Sequence, residues 1–169
     1  GCVNLKTVAF SEGLLTIGNS VFEGCRSLTN VTFPETLVSI GAKTFKNCIS
    51  INNIRLPAKL TRINSELFYG CASLTNITFS ENLLAIGESA FCECGLATVN
   101  LPEGLQELGA SAFACCTALT SIILPANITT IENGVFVGCS SLADVVFPDG
   151  LKSIGASSFN GTALKKITL

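Results

Sequence analysis

The sequence repeats one pattern of apolar and turn residues every 22 or 23 positions along its 169 residues. Counted from its first Leu or Ile, each unit reads L-x-x-[IV]-x-[FL]-P-x-x-L-x-x-I-G-x-x-[AV]-F-x-G-C-x-S. All five prolines stand at position seven of the unit, and all eleven phenylalanines stand at position six or eighteen. Because one such unit cannot bury its own apolar edge, the pattern predicts that the units stack as coils around one shared core.

The whole chain, residues 1–169, is predicted to form a single elongated domain of stacked coils. Seven units begin at Leu5, Leu28, Ile51, Leu74, Leu96, Leu119 and Leu142, and a partial unit begins at Leu164. We number the coils 1 to 7 from these starts and number the positions within each coil from one. Because the chain opens within one unit and closes within another, we expect it to be a fragment of a longer repeat protein.

The residue pattern within a unit predicts its local structure. Positions one, four and six are apolar and alternate with polar residues, which is typical of a half-buried strand, and proline then ends the strand because it lacks an N–H for the ladder. The segment L-x-x-I-G predicts a second short strand, whose glycine we expect at a bend with positive φ. Positions fifteen to twenty are expected to form a helical or 3₁₀ turn that points phenylalanine inward. Glycine occupies position fourteen at Gly18, Gly41, Gly87, Gly109 and Gly155.

Charge and composition argue against several classes of function. A net charge of −2 gives no electrostatic basis for binding nucleic acid. No apolar run approaches the ~18 residues of a membrane span, so we expect no membrane insertion in this segment. The sequence has no His and no nucleotide-binding glycine motif, so we predict no cofactor and no catalytic residues.

Acidic residues recur at position eight and resemble paired catalytic carboxylates until the repeat is noticed. We interpret them as a solvated edge that follows the first strand, with a weak Ca²⁺ site between neighbouring coils as the alternative. The row is Glu12, Glu35, Glu81, Glu103 and Asp149.

Seven of the nine cysteines form a row at position twenty-one. Metal sites need ligands that converge on one point, whereas these residues lie one per coil, so we predict no metal and interpret the row as small apolar side chains in a core position. Cys92 and Cys115 lie outside the row in neighbouring coils and are the candidate disulfide. The row is Cys2, Cys25, Cys48, Cys71, Cys94, Cys116 and Cys139.

The outward positions of the first strand, which are positions two, three and five, are the expected binding surface of such a stack. Most of them are Thr and Asn, which also suit a solvated pleated surface. Ile123 and Val146 differ, because they are β-branched, neighbouring and predicted to be exposed, which favours a contact with a protein or glycan ligand. The candidate binding residues are Arg55, Asn53, Asn76, Asn100, Ile123 and Val146.

The repeat resembles the BspA-like leucine-rich repeat family, most clearly in LATVNLPEGLQELGASAFACC at 96–116. The resemblance extends over essentially the whole chain. It implies a curved, right-handed, β-rich leucine-rich repeat solenoid with a parallel sheet on its concave side and short helical turns on its convex side. It also implies a non-catalytic, secreted or cell-surface binding module of the adhesin type, which contacts host proteins, glycans or other cells.

Two other functions remain open from the sequence. Coils without polar caps expose core and strand edges, so a self-assembling protein that stacks end to end is one alternative. A repeat arm of a larger enzyme is the other. Four residues depart from the repeat, because Asn64 and Glu132 replace glycine at position fourteen, and Ser11 and Ser80 replace proline at position seven.

Overall fold

Each coil contributes two short β-strands, as the repeat predicts. The structure, a computed structural model, describes residues 1–167; Thr168 and Leu169, the end of the partial unit, lie outside the described residues. The first strands of coils 1 to 7 are β1 Thr7–Ala9, β3 Asn30–Thr32, β5 Asn53–Arg55, β7 Asn76–Thr78, β9 Thr98–Val99, β11 Ser121–Ile123 and β13 Asp144–Val146. The second strands are β2 Thr16–Ile17, β4 Ser39–Ile40, β6 Arg62–Ile63, β8 Ala85–Ile86, β10 Glu107–Leu108, β12 Thr130–Ile131 and β14 Ser153–Ile154.

Strands pair only with the equivalent strands of neighbouring coils, in parallel and in register. Val8 faces Val31, and Ile131 faces Ile154, each pair standing at one position of the repeat. First strands are bonded in the groups β1–β3, β5–β7 and β9–β11–β13. Second strands are bonded as β2–β4, β6–β8–β10 and β12–β14. The predicted parallel solenoid is confirmed, and each of its two strand ladders is interrupted at two junctions between coils.

The phenylalanines at position eighteen form one continuous stack through the core. Neighbouring ring centroids are 5.3 to 6.0 Å apart and neighbouring rings are within 18° of parallel. Where position six is also phenylalanine, its ring packs edge-on against this stack, as Phe79 does against Phe91 at 5.9 Å. Aromatic pairs in these geometries contribute roughly 0.5–1.5 kcal/mol beyond the area that they bury. The stack consists of Phe22, Phe45, Phe68, Phe91, Phe113, Phe136 and Phe159.

The expected helical turn at positions fifteen to twenty is wrong. Among residues 1–167 there is no α-helix or 3₁₀-helix, and these positions form turns. In all seven coils the residues at positions sixteen and twenty have positive φ, which interrupts any helix. The position-sixteen residues are Ser20, Lys43, Glu66, Ser89, Ser111, Gly134 and Ser157, and the position-twenty residues are Gly24, Asn47, Gly70, Glu93, Cys115, Gly138 and Gly161.

These turns carry a third set of hydrogen bonds between coils, which we call the turn ladder. The N–H groups at positions sixteen, eighteen and twenty donate to the carbonyls at positions fifteen, seventeen and nineteen of the next coil. Between coils 1 and 2 the donors are Ser20, Phe22 and Gly24, with N···O distances of 2.7 to 2.9 Å. The same three bonds recur at all six junctions. The turn ladder is therefore continuous where the strand ladders are not.

Glycine at position fourteen does not have the positive φ that we expected. None of the five glycines lies in that region of φ. They are required for space instead, because a Cβ on Gly41 would lie 2.4 Å from the carbonyl carbon of Gly18 in the coil below. A Cβ on Gly18, in coil 1, would have no atom closer than 3.8 Å, because no described coil lies below it. Close approach then lets the Gly41 N–H bond the Ile17 carbonyl at 2.8 Å.

The two exceptions at position fourteen coincide with the two gaps in the second-strand ladder. Asn64 directly follows β6, which forms no ladder bond with β4, and Glu132 directly follows β12, which forms none with β10. Asn64 compensates, because its side-chain Nδ2 donates to the Ile40 carbonyl at 2.7 Å in place of the glycine N–H. A side chain at this position therefore opens the ladder locally and leaves the stack intact.

We predict that Gly109→Ala lowers the free energy of unfolding by roughly 1–3 kcal/mol, because the new Cβ would overpack the coil below. It would lie 2.6 Å from the backbone nitrogen of Glu88. Gly104→Ala is the matched control, since its Cβ would meet nothing closer than 4.0 Å, and we expect a change within about 0.5 kcal/mol. Urea unfolding of the two variants measures the difference, and equal effects would contradict the close-approach explanation.

Candidate binding face

The six candidate binding residues lie at positions three and five on the outer side of the first strands, with Asn100 directly after the end of β9. We call this surface, formed by positions three and five of coils 3 to 7, the first-strand face. Asn53 and Arg55 are exposed on either side of the buried Ile54, which shows the alternation of a half-buried strand. Asn76 and Asn100 are also exposed. The exposed fractions of Ile123 and Val146 are 66% and 55%.

The structure brings the candidates together in two groups. Asn53 and Asn76 are register neighbours on β5 and β7, at the polar end of the face. Ile123 and Val146 are register neighbours on β11 and β13, at its apolar end. Arg55 has Thr78 as its neighbour rather than another candidate. Asn100, at position five of coil 5, lies between the two groups along the stack of coils.

Shallow clefts open onto this face between coils. One of about 330 Å³, between coils 4 and 5, contains Thr78, Glu81 and Asn100, at the junction where the first-strand ladder is open between β7 and β9. Another of about 290 Å³, between coils 5 and 6, contains Asn100, Glu103 and Ile123. These clefts place an amide, carboxylates and an aliphatic side chain within reach of one ligand.

Charge is distributed very unevenly along the stack, which the net charge of −2 conceals. Residues 1–62 contain seven Lys and Arg and three Asp and Glu. Residues 63–151 contain nine Asp and Glu and no Lys or Arg. The coils that carry the apolar pair therefore have a net negative charge, with Lys152 as the one cation in coils 6 and 7. We did not predict this feature, although the charges counted coil by coil reveal it in the sequence.

On the turn side, charged residues connect coils 2 to 4. Glu66 forms ion pairs with Lys43, at 3.3 Å, and with Lys46, and the Lys46 hydrogen bond lowers the pKa of the Glu66 carboxyl. The Lys46 ammonium lies 4.6 Å from the centre of the Tyr69 ring, and the Tyr69 hydroxyl donates to Glu93 at 2.9 Å. This hydrogen bond to a carboxylate raises the pKa of Tyr69 to about 12. Each group is held in a pair between coils, so we interpret the network as a structural link.

Six of the seven cysteines of the row are buried, and five of these have a defined hydrogen bond. In coils 2 to 6 each thiol donates to the carbonyl of the position-eighteen phenylalanine of the preceding coil, as Cys71 does to Phe45 at 3.1 Å. Burial raises the pKa of Cys48 and of Cys139 to about 12. Such thiols are neutral at physiological pH and do not act as nucleophiles or metal ligands.

Cys92 and Cys115 are free thiols in the structure, as are the other seven cysteines. Cys92 is buried and Cys115 is exposed. The Cys115 sulfur would lie 3.1 Å from a Cβ on Gly138, so it is directed toward coil 6, whereas Cys92 belongs to coil 4. A disulfide between them would require this side chain to turn back, and the pairing stays a prediction for the oxidised protein.

Metal-binding clusters and membrane-spanning helices are both missing from the described part of the chain. Among residues 1–167, no three or more His, Cys, Asp or Glu side chains are grouped so that they could hold a metal ion. Within the same residues, no helix has the length and apolar character needed to cross a membrane.

Comparisons with known proteins agree with the fold. A protein-family model described as "BspA type Leucine rich repeat region (6 copies)" matches residues 1–109 and residues 61–169. A leucine-rich repeat protein from T. pallidum is 33% identical, with a TM-score of 0.87, over 92% of this chain and 75% of that one. No curated protein matches the chain.

Two further solved structures are about twice as long as the region they share with this chain. A leucine-rich repeat protein from Bacteroides ovatus is 28% identical, with a TM-score of 0.79, over 97% of this chain and 51% of that one. A leucine-rich cell surface protein from Faecalibacterium prausnitzii is 24% identical, with a TM-score of 0.73, over 99% of this chain and 55% of that one. The latter likeness shows the fold alone.

We predict that the cysteine row makes stability fall in alkaline solution. Because the folded state raises the pKa of Cys48 from about 9 to about 12, its stabilising effect is complete below pH 9 and is lost as the pH rises from 9 toward 12. The loss approaches roughly 1.4 kcal/mol per pH unit for one thiol.

Cys48→Ser tests this prediction, because serine keeps a donor for the Phe22 carbonyl and does not titrate in this range. Between pH 7.5 and pH 10, in reductant, we expect its free energy of unfolding to fall by about 1 kcal/mol less than that of the parent protein. Cys2→Ser, at an exposed thiol, is the control, and its free energy of unfolding should fall by as much as that of the parent protein. An identical fall in all three proteins would contradict the prediction.

Proposed function

The chain belongs to the BspA-type leucine-rich repeat family, and we propose that it is a non-catalytic binding module that contacts a protein through the first-strand face. This family and fold are typically non-catalytic, and leucine-rich repeat proteins generally bind proteins. The outward positions of the first strands lie side by side from coil to coil, and the family resemblance implies that they form the concave side of the solenoid.

The observation that carries this proposal is the neighbouring pair Ile123 and Val146. Their exposed fractions, 66% and 55%, place two β-branched side chains side by side in water on a sheet whose other outward residues are mostly polar. Apolar side chains that are bordered by polar ones are typical of the buried part of a protein interface.

The chemistry of the face favours a protein ligand over a glycan. Positions two, three and five of coils 1 to 7 contain no aromatic residue, whereas sugar rings commonly pack against aromatic rings. Aliphatic side chains beside amides and carboxylates instead suit aliphatic and polar side chains of a partner. Adhesion to a host protein or to a protein on a neighbouring cell would use this surface.

We further propose that the protein acts outside the cell, either secreted or at the cell surface. The support is the membership of the BspA-type family, since the resemblance to that family implies a secreted or cell-surface protein. The buried thiols of the cysteine row suit such a location, because they are protected from oxidation by the core.

A random peptide library displayed on phage tests the binding face directly, because the selection does not require an identified ligand. We expect peptides selected on the parent protein to lose at least tenfold in affinity for the variant Ile123→Asp/Val146→Asp. The matched control is Leu15→Asp/Val38→Asp, which changes two exposed aliphatic side chains of neighbouring coils 1 and 2 and should bind as the parent does. Undiminished binding to the first variant would show that the face is misplaced.

A further inference from the structure

We propose that the partner of the first-strand face is a cationic segment of protein, in which Lys or Arg residues flank an aliphatic anchor. This inference rests on the proposed binding function and specifies the chemistry of the ligand. The apolar pair determines where the segment docks, and the charges around that pair determine which charged side chains the segment has.

Two carboxylates lie near the apolar pair, Asp144 on the first-strand face and Glu103 at position eight, beyond the end of the strand. Asp144 is exposed two residues before Val146 on β13, so the two side chains lie on one side of the sheet roughly 7 Å apart. Glu103 lines the cleft that also contains Asn100 and Ile123. An aliphatic side chain packed on Ile123 and Val146 would therefore place its neighbours in the segment beside carboxylates.

Neither Glu103 nor Asp144 forms an ion pair among residues 1–167, and the cations nearest to Asp144 along the repeat are Lys165 and Lys166 of the partial unit. In residues 1–167 the ion pairs involve only Glu66 and Glu107, and residues 63–151 contain no Lys or Arg. Successive coils are only ~4.8 Å apart, so Glu81 and Glu103, at position eight of the adjacent coils 4 and 5, lie within the ~8 Å Debye length at physiological salt. Asp144 is two coils beyond Glu103. The potentials of these carboxylates add, and the face attracts cations and repels acidic segments.

The two ends of the face differ in charge, which further defines the orientation of a ligand. Arg55 belongs to the basic first part of the chain, whereas Asp144 lies in the acidic part. A segment that extends along the position-five row from Val146 toward Arg55 would thus meet carboxylates first and then amides and a cation. Its basic residues should lie at the end that contacts coils 5 to 7.

Three synthetic peptides test the proposal directly. Each has ten residues in which Val alternates with Lys, with Gln or with Glu, and binding is measured by fluorescence anisotropy at 50 and 300 mM NaCl. We expect the lysine peptide to bind the parent protein at least tenfold more tightly than the glutamine peptide, and we expect the glutamate peptide not to bind. Affinity for the lysine peptide should weaken as the salt concentration rises.

Matched charge reversals locate the effect. Glu103→Lys/Asp144→Lys should reduce binding of the lysine peptide at least tenfold. Glu88→Lys/Glu132→Lys makes the same change in net charge at carboxylates that line a cleft of the second-strand side, and should reduce it less than threefold. None of the four side chains is buried, so we expect both variants to fold, and circular dichroism checks this.

The outcomes separate this inference from the proposed function. Equal losses in the two charge-reversal variants would mean non-specific attraction, and equal binding of the lysine and glutamine peptides would mean a face without cation preference. Failure of the lysine peptide to bind would also overturn the inference. In each case the binding face itself would still be judged by the library peptides and the variant Ile123→Asp/Val146→Asp.

Discussion

The hydrogen bonds of the turn ladder are the interaction on which the rest of this structure depends. Residues with positive φ at positions sixteen and twenty orient the backbone along the axis of the stack, so that three N–H groups of each coil reach the next coil at every junction. The phenylalanine stack lies directly beneath, because the middle donor of each set belongs to a stacked phenylalanine. By contrast, both strand ladders contain gaps. The solenoid is thus held continuously on its turn side, and the strand side is free to vary in residues and in spacing.

That division explains why the sequence predicts some features well and others poorly. The number of coils, the core positions and the phenylalanine stack follow from residue type, because each core position must be filled by a similar side chain in every coil. The turn conformation does not, since residues such as Lys43 and Glu66 adopt positive φ without any preference for it. Glycine at position fourteen was misinterpreted for a related reason. A sequence shows that a residue must be small, but it does not show whether backbone conformation or available space is the cause, and at Gly41 the cause is space.

The features of the candidate site also differ in how well the sequence predicts them. Alternation within the first strands was sufficient to predict that Ile123 and Val146 are exposed, and register from coil to coil was sufficient to make them neighbours. The clefts between coils were not predictable, because they depend on which ladder bonds are missing. The charge around the apolar pair was visible in the sequence and became meaningful only once residues of different coils, such as Glu103 and Asp144, were placed near the same pair of side chains. Function in such a protein is therefore determined by surfaces assembled from several coils, and short motifs do not identify them.

Native-state hydrogen exchange measured residue by residue tests the central role of the turn ladder most directly. The amides of Phe45, Phe68, Phe91 and Phe113 lie in segments without helix or strand, yet each donates to the next coil at 2.8 to 3.0 Å. If the turn ladder holds the stack together, these four amides exchange only when the whole domain unfolds, and their protection matches that of the most protected strand amides. Exchange at the rate of exposed loop amides, in a protein that remains folded, would contradict this account.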